Sequence, residues 1–122
     1  MRKDILDRSD LEKLFASFYV IAMKDELIGH FFTEVIPLDL KSHLPHILDF
    51  WEANLWGKAG YKENVLQIHL DIHKKSKMQY HHFDQWLNIL NKCVDTEFEG
   101  PSAERLKTNA LSIATVMKTK VN

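Results

Sequence analysis

Residues 11–22 read LEKLFASFYVIA, and the spacing of their apolar side chains indicates the structural class. These side chains recur every third or fourth residue, at Leu11, Leu14, Phe15, Phe18, Tyr19 and Ala22. That period is typical of a helix with one buried face. Just before it, Ser9-Asp10-Leu11-Glu12 matches a capping box, in which Glu12 reaches back to the Ser9 amide. We therefore predict a helix that opens at Ser9 and frays near Lys24.

The next stretch of the chain shows a turn and a second helix. A short turn is expected over residues 25–32, because it contains Gly29 and breaks the helical spacing. Helical spacing resumes from about Pro37 to Trp56, and Gly57 is placed as a stop signal. Pro45 lies inside this stretch, so the helix is either kinked there or built as two pieces.

The second half of the chain predicts three more helices. Asn64 is placed to cap a short helix from Val65 to about Ile72. Residues 73–79 are rich in lysine and indicate a polar connection. Of the two long helices that follow, one ends before Gly100 and the other starts near Pro101. No segment shows sustained β alternation, so the predicted class is all-α.

The composition is that of an ordinary globular protein. The chain has 122 residues, 45% hydrophobic and 27% charged, with a formal net charge of −1. This length suits a single domain spanning residues 1–122. The near-neutral charge gives no electrostatic footprint for nucleic acid or anionic lipid. The longest nearly apolar run is too short for a bilayer, and no signal-peptide pattern is present, so we expect a cytoplasmic protein with no membrane partner.

Motifs for common kinds of catalysis are missing from the sequence. It has no glycine-rich phosphate loop, no Cys-x-x-Cys pair, no His-Glu-x-x-His and no Gly-x-Ser-x-Gly. Cys93, the single cysteine, cannot form an internal disulfide and lies beside an apolar helix stripe. We interpret Cys93 as a core or boundary residue, and we predict no catalytic residue.

Histidine is frequent, with seven residues, and it is the commonest metal ligand. His69 and His73 lie four residues apart, which puts both on one helix face, as a zinc pair requires. His43 and His46 lie three apart in a similar arrangement. Without a third ligand, a plain surface role for these pairs stays open. The helix around His69 is apolar, so His69 either hydrogen-bonds within the core or coordinates something buried.

Tyr19 and Trp86 lie on the apolar faces of two different predicted helices. Each is either a core aromatic whose polar atom finds a backbone carbonyl, or a donor in a shared dry pocket. Periodicity does not decide between these interpretations.

Five short motifs, in order and in register, resemble the truncated haemoglobins, and most of all group III. They are Phe18-Tyr19, Asp25-x-Leu27-x-Gly29-x-x-Phe32, His43 followed by Phe50-Trp51, Leu66-x-x-His69-Leu70, and His82-Phe83-x-x-Trp86-Leu87. The resemblance covers about residues 11–117. The absence of a Gly-Gly pair agrees with group III, whereas Asn64-Val65 departs from the Gly-Gln-Pro of some members.

The resemblance implies a truncated globin, a two-over-two helical sandwich that holds one haem b. His69 matches the proximal ligand that binds iron. Tyr19, His43 and Trp86 match the distal positions that face a gas ligand, although Pro45 is expected to affect the orientation of His43. The other residues expected at the haem are Phe32, Ile47, Trp51 and His73.

The resemblance also implies reversible binding of oxygen or another diatomic gas, such as NO or CO. A haem enzyme, with NO dioxygenase or peroxidase-like activity and a reductase as partner, is the first alternative. The second is a non-haem helical module in which His69 and His73 hold zinc or nothing.

The haem propionates would need polar partners where they reach water. His73, Lys74, Lys75 and Lys77 directly follow the predicted proximal helix, so we predict that at least one of them serves there. The competing interpretation is an ordinary solvated charge run.

Overall fold

Five α-helices and one short π-helix make up most of the described chain. The computed structural model describes residues 2–35, 37, 39–58 and 65–120, apart from the side chains at 65–67, 69 and 70. The helices are α1 (Arg8–Ala22), α2 (Leu40–Trp56), α3 (Val65–Lys75), α4 (Tyr80–Glu97) and α5 (Pro101–Lys120), with the π-helix Phe31–Val35 between α1 and α2. The all-α prediction is confirmed, since β pairing in the described ranges is limited to one bridge between Lys3 and Phe98. In those ranges no helix combines the length and apolar content needed to cross a bilayer.

The first helix has the predicted buried face but a different cap. All six of its predicted apolar positions are buried. The helix begins at Arg8, because Asp7 is extended and its carboxylate accepts the Asp10 amide at 3.1 Å. Ser9 already lies within the first turn, so the capping box predicted at Ser9 is wrong.

The second helix runs unbroken past Pro45. It begins at Leu40, later than predicted, and ends as predicted at Gly57, whose φ of +68° closes the helix. Pro45 lies near the start of α2, so its missing N–H costs one backbone bond at an exposed turn. The division into two pieces is therefore excluded.

The periodicity of α2 did not reveal one buried acid, Glu52, which is 8% exposed. It is ion-paired with Arg8 of α1 and with Lys58, whose Nζ lies 3.2 Å away. Burial alone would raise the pKa of Glu52, but the hydrogen bonds from these two cations outweigh it and lower the pKa. This network ties α1 to α2.

The segment between α1 and α2 is more helical than the predicted turn. Asp25 accepts the Leu27 and Ile28 amides, and its other oxygen accepts from Gln85 of α4 at 2.7 Å. At Gly29 a Cβ would lie 2.7 Å from the Met23 carbonyl oxygen, so a larger residue would force the chain apart. The chain then enters the π-helix, which the sequence pattern did not predict.

The third helix extends beyond its predicted end at Ile72 to Lys75. The polar connection predicted from residue 73 therefore starts as helix. The proposed cap, Asn64, lies outside the described residues.

The helices pack as two pairs. The first pair is α1 with α2 and the second is α4 with α5, and contacts between α1 and α4 join them. α3 contacts α5 and the π-helix. Seven large side chains are almost completely buried between the helices: Ile5, Leu11, Leu14, Phe18, Leu90, Val94 and Leu106.

A residue near the start of the chain caps the last helix. The Asp4 carboxylate accepts the Ser102 amide at 3.0 Å and the Ala103 amide at 2.9 Å. Burial raises the pKa of Asp4, but the backbone hydrogen bonds outweigh it and lower the pKa. Gly100 lies against this carboxylate with φ +146°, where a Cβ would come within 2.5 Å of Asp4 Cγ.

Candidate functional site

A cavity of about 360 Å³ lies among the helices. Its volume is in the range of small-molecule and cofactor sites. Most of its walls are aromatic or aliphatic. The described lining residues are Phe15, Phe18, Tyr19, Ile28, Phe31, Phe32, His43, His46, Ile47, Phe50, Trp51, Ile68, Ile72, Met78, His82, Phe83, Trp86, Ile113, Ala114 and Met117.

A tyrosine–histidine pair is the main polar feature of this apolar cavity. The Tyr19 oxygen lies 3.1 Å from His43 Nε2, a hydrogen-bond distance. Tyr19 is 5% exposed, and burial raises the pKa of its phenol, so the O–H stays protonated at neutral pH. His43 belongs to the first turn of α2, where its backbone amide donates a hydrogen bond to the Asp39 carbonyl at 2.9 Å. Because His43 lines the cavity, Pro45 does not turn it away from the site.

Trp86 lines the same cavity from α4, so the structure brings the three predicted distal residues together. Its indole meets Phe18 edge to face, with ring centroids 6.4 Å apart. An indole N–H is only a donor, and a phenol O–H can donate or accept. The cavity therefore holds hydrogen-bonding groups from three helices among apolar walls.

Three of the predicted cofactor contacts also line the cavity, namely Phe32, Ile47 and Trp51. Phe32 meets the Tyr19 ring edge to face at 5.7 Å. Trp51 stacks on Phe15 with centroids 5.9 Å apart. These contacts fix the aromatic walls against one another.

The predicted proximal residue is on α3. The side chain of His69 lies outside the described part of the chain. Position 69 is within the α3 backbone, and two residues beside it, Ile68 and Ile72, line the cavity.

The predicted propionate cluster is not part of the cavity wall. Of its four members, all described, none lines the cavity. His73 Nδ1 accepts the Met78 amide at 2.9 Å and so closes the end of α3. Pairing of Lys74, Lys75 or Lys77 with a propionate stays a prediction.

Two further histidines line the cavity, His46 and His82, and neither was predicted as a site residue. His82 precedes Trp86 by four residues, so helical spacing alone places both on one face of α4. Burial lowers the pKa of His82, and the neighbouring His81 and His30 act in the same direction. His46 follows His43 by three residues, and this spacing was its available signal.

The described chain offers little for metal-ion binding or thiol chemistry outside this cavity. Among the described side chains there is no group of three or more His, Cys, Asp or Glu residues arranged for a metal ion. Cys93 is buried as predicted, and burial together with Glu97 raises the pKa of its thiol. A protonated, buried thiol is a poor nucleophile.

A second depression, of about 540 Å³, lies open on the surface where α1 ends. Its walls include Val20, Lys24, Asp25, Glu26 and Leu27. Since it is open to solvent and is not enclosed by aromatic residues, the Tyr19–His43 cavity is the better candidate site.

The comparisons identify the fold. No protein-family model and no curated protein matches the chain. Among solved structures, the chain is similar to the group III truncated haemoglobin from Campylobacter jejuni, with a TM-score of 0.87 and 22% sequence identity. The similarity covers 100% of this chain and 96% of that one. The chain therefore has the truncated-globin fold, as the sequence motifs predicted.

Proposed function

We propose that this protein is a haem-binding globin that reversibly binds oxygen or another diatomic gas. The observation that carries the proposal is the Tyr19–His43 pair, hydrogen-bonded within an apolar cavity of a truncated globin fold. An iron porphyrin held by a histidine would supply the metal site for such a gas.

The cavity suits an apolar macrocycle. Flat aromatic side chains line it from several sides, among them Phe32, Phe50 and Trp51. Its described polar lining is limited to imidazole, phenol and indole groups, which can orient a ligand through hydrogen bonds.

His69 is our proposed iron ligand. By helical register, position 69 shares a face of α3 with position 72, three residues later, and Ile72 lines the cavity. A neutral imidazole binds iron through one ring nitrogen and donates its other N–H to a nearby acceptor. Membership of the group III truncated haemoglobins is part of this proposal.

In the proposed haem protein, Tyr19, His43 and Trp86 would face the gas ligand. A polar ligand attracts hydrogen-bond donors, and these three side chains supply O–H and N–H groups among apolar walls. We propose that they slow the release of a polar diatomic such as oxygen.

The visible absorption spectrum tests the proposal. Protein purified with haem available is expected to show a Soret band, with distinct oxidised, reduced and oxygenated spectra. Protein that shows no Soret band after haem is added and unbound haem is removed would contradict the proposal. The zinc module would then remain, and bound zinc is measured by elemental analysis.

Turnover separates gas binding from the haem-enzyme alternative. The haem-loaded protein is mixed with NO and oxygen, or with peroxide, in the presence of a reductase and its electron donor. Sustained nitrate formation or peroxide consumption would favour the enzyme, whereas one round of ligand binding would favour the globin.

A further inference from the structure

His82 lies at an edge of the cavity, on the first turn of α4. It lines the cavity and is half-buried, while the adjacent His81 is exposed and is outside the lining. Trp86, one helical turn later, lines the same cavity. His82 is thus a polar group that touches both solvent and the cavity interior.

The hydrogen bonds of His82 determine which ring nitrogen can act on a ligand. Its Nδ1 accepts the Gln79 amide at 2.9 Å, which completes the capping box of α4. A nitrogen that accepts this bond cannot also carry the proton, so the neutral ring carries it on Nε2. Burial lowers the pKa of His82, which keeps the ring in this neutral form. The Nε2–H is therefore the group through which His82 can donate.

The ring is held in place by its neighbours. Phe31 of the π-helix meets the His82 ring edge to face, with centroids 4.9 Å apart. The ring centroids of His81 and His30 lie at 4.2 Å and 5.9 Å. With its cap bond and these contacts, the imidazole has little freedom to turn away.

The described cavity wall offers no strong cation. It contains no lysine or arginine, and the lysines in and just after the last turn of α3 do not line it. Tyr19 and His43 are hydrogen-bonded to each other. An acidic group of an occupant would therefore meet imidazole N–H donors where the cavity approaches solvent.

We propose that His82 is the carboxylate-binding residue of the cavity, and that its Nε2–H donates a hydrogen bond to a carboxylate of the haem. This inference rests on the proposed haem binding. It assigns to a single imidazole two tasks, the cap of α4 through Nδ1 and the retention of the cofactor through Nε2.

The test compares haem b with its dimethyl ester, which keeps the macrocycle but lacks both carboxylates. The measured quantity is the rate at which each is lost to an excess of a haem-scavenging protein, followed by visible absorbance. Unmutated protein should lose the ester about tenfold or more faster than haem b, because a hydrogen bond to a charged group is lost.

His82→Glu is the informative variant, since glutamate at this position preserves the capping box while it repels a carboxylate. We expect it to lose haem b about tenfold to a hundredfold faster than unmutated protein. Its rate for the ester should match that of unmutated protein. Asn88→Glu is the control, because it adds the same charge at an exposed position of α4 outside the cavity lining, and it should leave the rate of haem b loss within about twofold.

Equal acceleration of haem b loss in His82→Glu and Asn88→Glu would overturn the inference, and so would a His82→Glu effect that persists with the ester. Thermal unfolding of the variant checks that α4 is intact. If His82→Glu does not fold, unmutated protein decides, because equal loss of haem b and ester would overturn the inference. A protein that binds neither porphyrin would refute the proposed function itself, whereas equal retention of both refutes only the role of His82.

Discussion

Tyr19 combines deep burial with a hydrogen bond to His43. We therefore expect the rate of gas release to depend most on the Tyr19 phenol. In haem-loaded protein we expect Tyr19→Phe to release oxygen about tenfold to a hundredfold faster, because a hydrogen bond to a charged acceptor contributes about 1.5–3 kcal/mol. Ligand replacement in a stopped-flow instrument measures this rate. Carbon monoxide, which is less polar when bound, should change far less.

Tyr80→Phe is the matched control for that experiment. Tyr80 is 46% exposed and does not line the cavity, so the same chemical change should leave oxygen release unaffected. An unchanged rate in Tyr19→Phe would identify the phenol as a core group without a role in ligand binding.

Because Tyr19 and His43 contact each other, their substitutions should not act independently. We expect the effects of Tyr19→Phe and His43→Leu on oxygen release to differ from their sum in the double variant, as they do for residues in contact. Trp86→Phe should also speed release. Strict additivity of Tyr19→Phe and His43→Leu would argue against a shared hydrogen bond in the loaded protein.

Substitutions of two histidines on α3 test the proposed iron ligand. His69→Ala should lose tightly bound haem, or keep it only when imidazole is supplied to fill the empty coordination position. His73→Ala should retain haem, since the His73 ring is bonded to the Met78 amide and does not line the cavity. Haem content after gel filtration, read from the Soret absorbance, gives the result. Equal loss in both variants would contradict the assignment.

At the scale of single residues, sequence reasoning located the cavity better than the ion pairs around it. Tyr19 and Trp86 lie on apolar faces, and the family motifs grouped His43 with them. Glu52 was missed because its partner Arg8 is distant in sequence, and a buried acid breaks the apolar pattern. Periodicity reports which face is buried, but it carries no signal for charges that are neutralised there.

At the scale of elements, the helices were predicted and several of their boundaries were not. Asp7 and Ser9 are both possible caps at the start of α1. Asp7 is the cap, because its carboxylate accepts a hydrogen bond from the Asp10 amide. The π-helix at Phe31–Val35 has no simple sequence period, and its dense aromatic contacts arise only once the helices have packed. Helix ends depend on such tertiary contacts, whereas long apolar stripes do not.

The start of α5 depends on a contact that no local pattern reveals. Asp4 accepts two amides of its first turn, Ser102 and Ala103. Asp4→Ala should lower the free energy of unfolding by about 1–2 kcal/mol, in the range of a lost N-cap. Urea unfolding followed by circular dichroism measures this loss.

Glu99→Ala, a change to an acid on the surface beside α5, is the control and should have little effect. Gly100→Ala should destabilise as well, because the added Cβ would overlap the Asp4 carboxylate and φ is +146°. Unchanged stability in both Asp4→Ala and Gly100→Ala would show that this cap does not hold α5.

For the whole molecule, the direction of the perturbed pKa values predicts how stability depends on pH. The pKa values of Asp4, Asp10, Asp25 and Glu52 are lowered because hydrogen bonds to their carboxylates outweigh the opposing effect of burial. In the unfolded chain these groups take up protons first as the pH falls. Their contribution to stability is therefore present above the ordinary carboxyl pKa and is lost as the pH falls below it.

His82 also lowers stability as the pH falls, and it does so at a higher pH than the carboxylates. Burial, with His81 and His30 nearby, lowers its pKa in the folded protein. Below the ordinary histidine pKa the unfolded chain binds a proton that the folded chain resists, so the unfolded state is favoured as the pH falls. Protonation of Nδ1 would also break the bond to the Gln79 amide that caps α4.

We therefore expect cofactor-free protein to lose stability between about pH 7 and 5.5, above the range in which carboxylates titrate. His82→Gln should reduce this loss, because glutamine can accept the Gln79 amide without binding a proton. Urea unfolding at several pH values gives the slope for each protein. His81→Gln removes one of the groups that oppose protonation of His82, so it should reduce the slope as well, but less than His82→Gln does. If both variants follow the unmutated curve, His82 does not resist protonation in the folded protein, and the decline must come from other histidines.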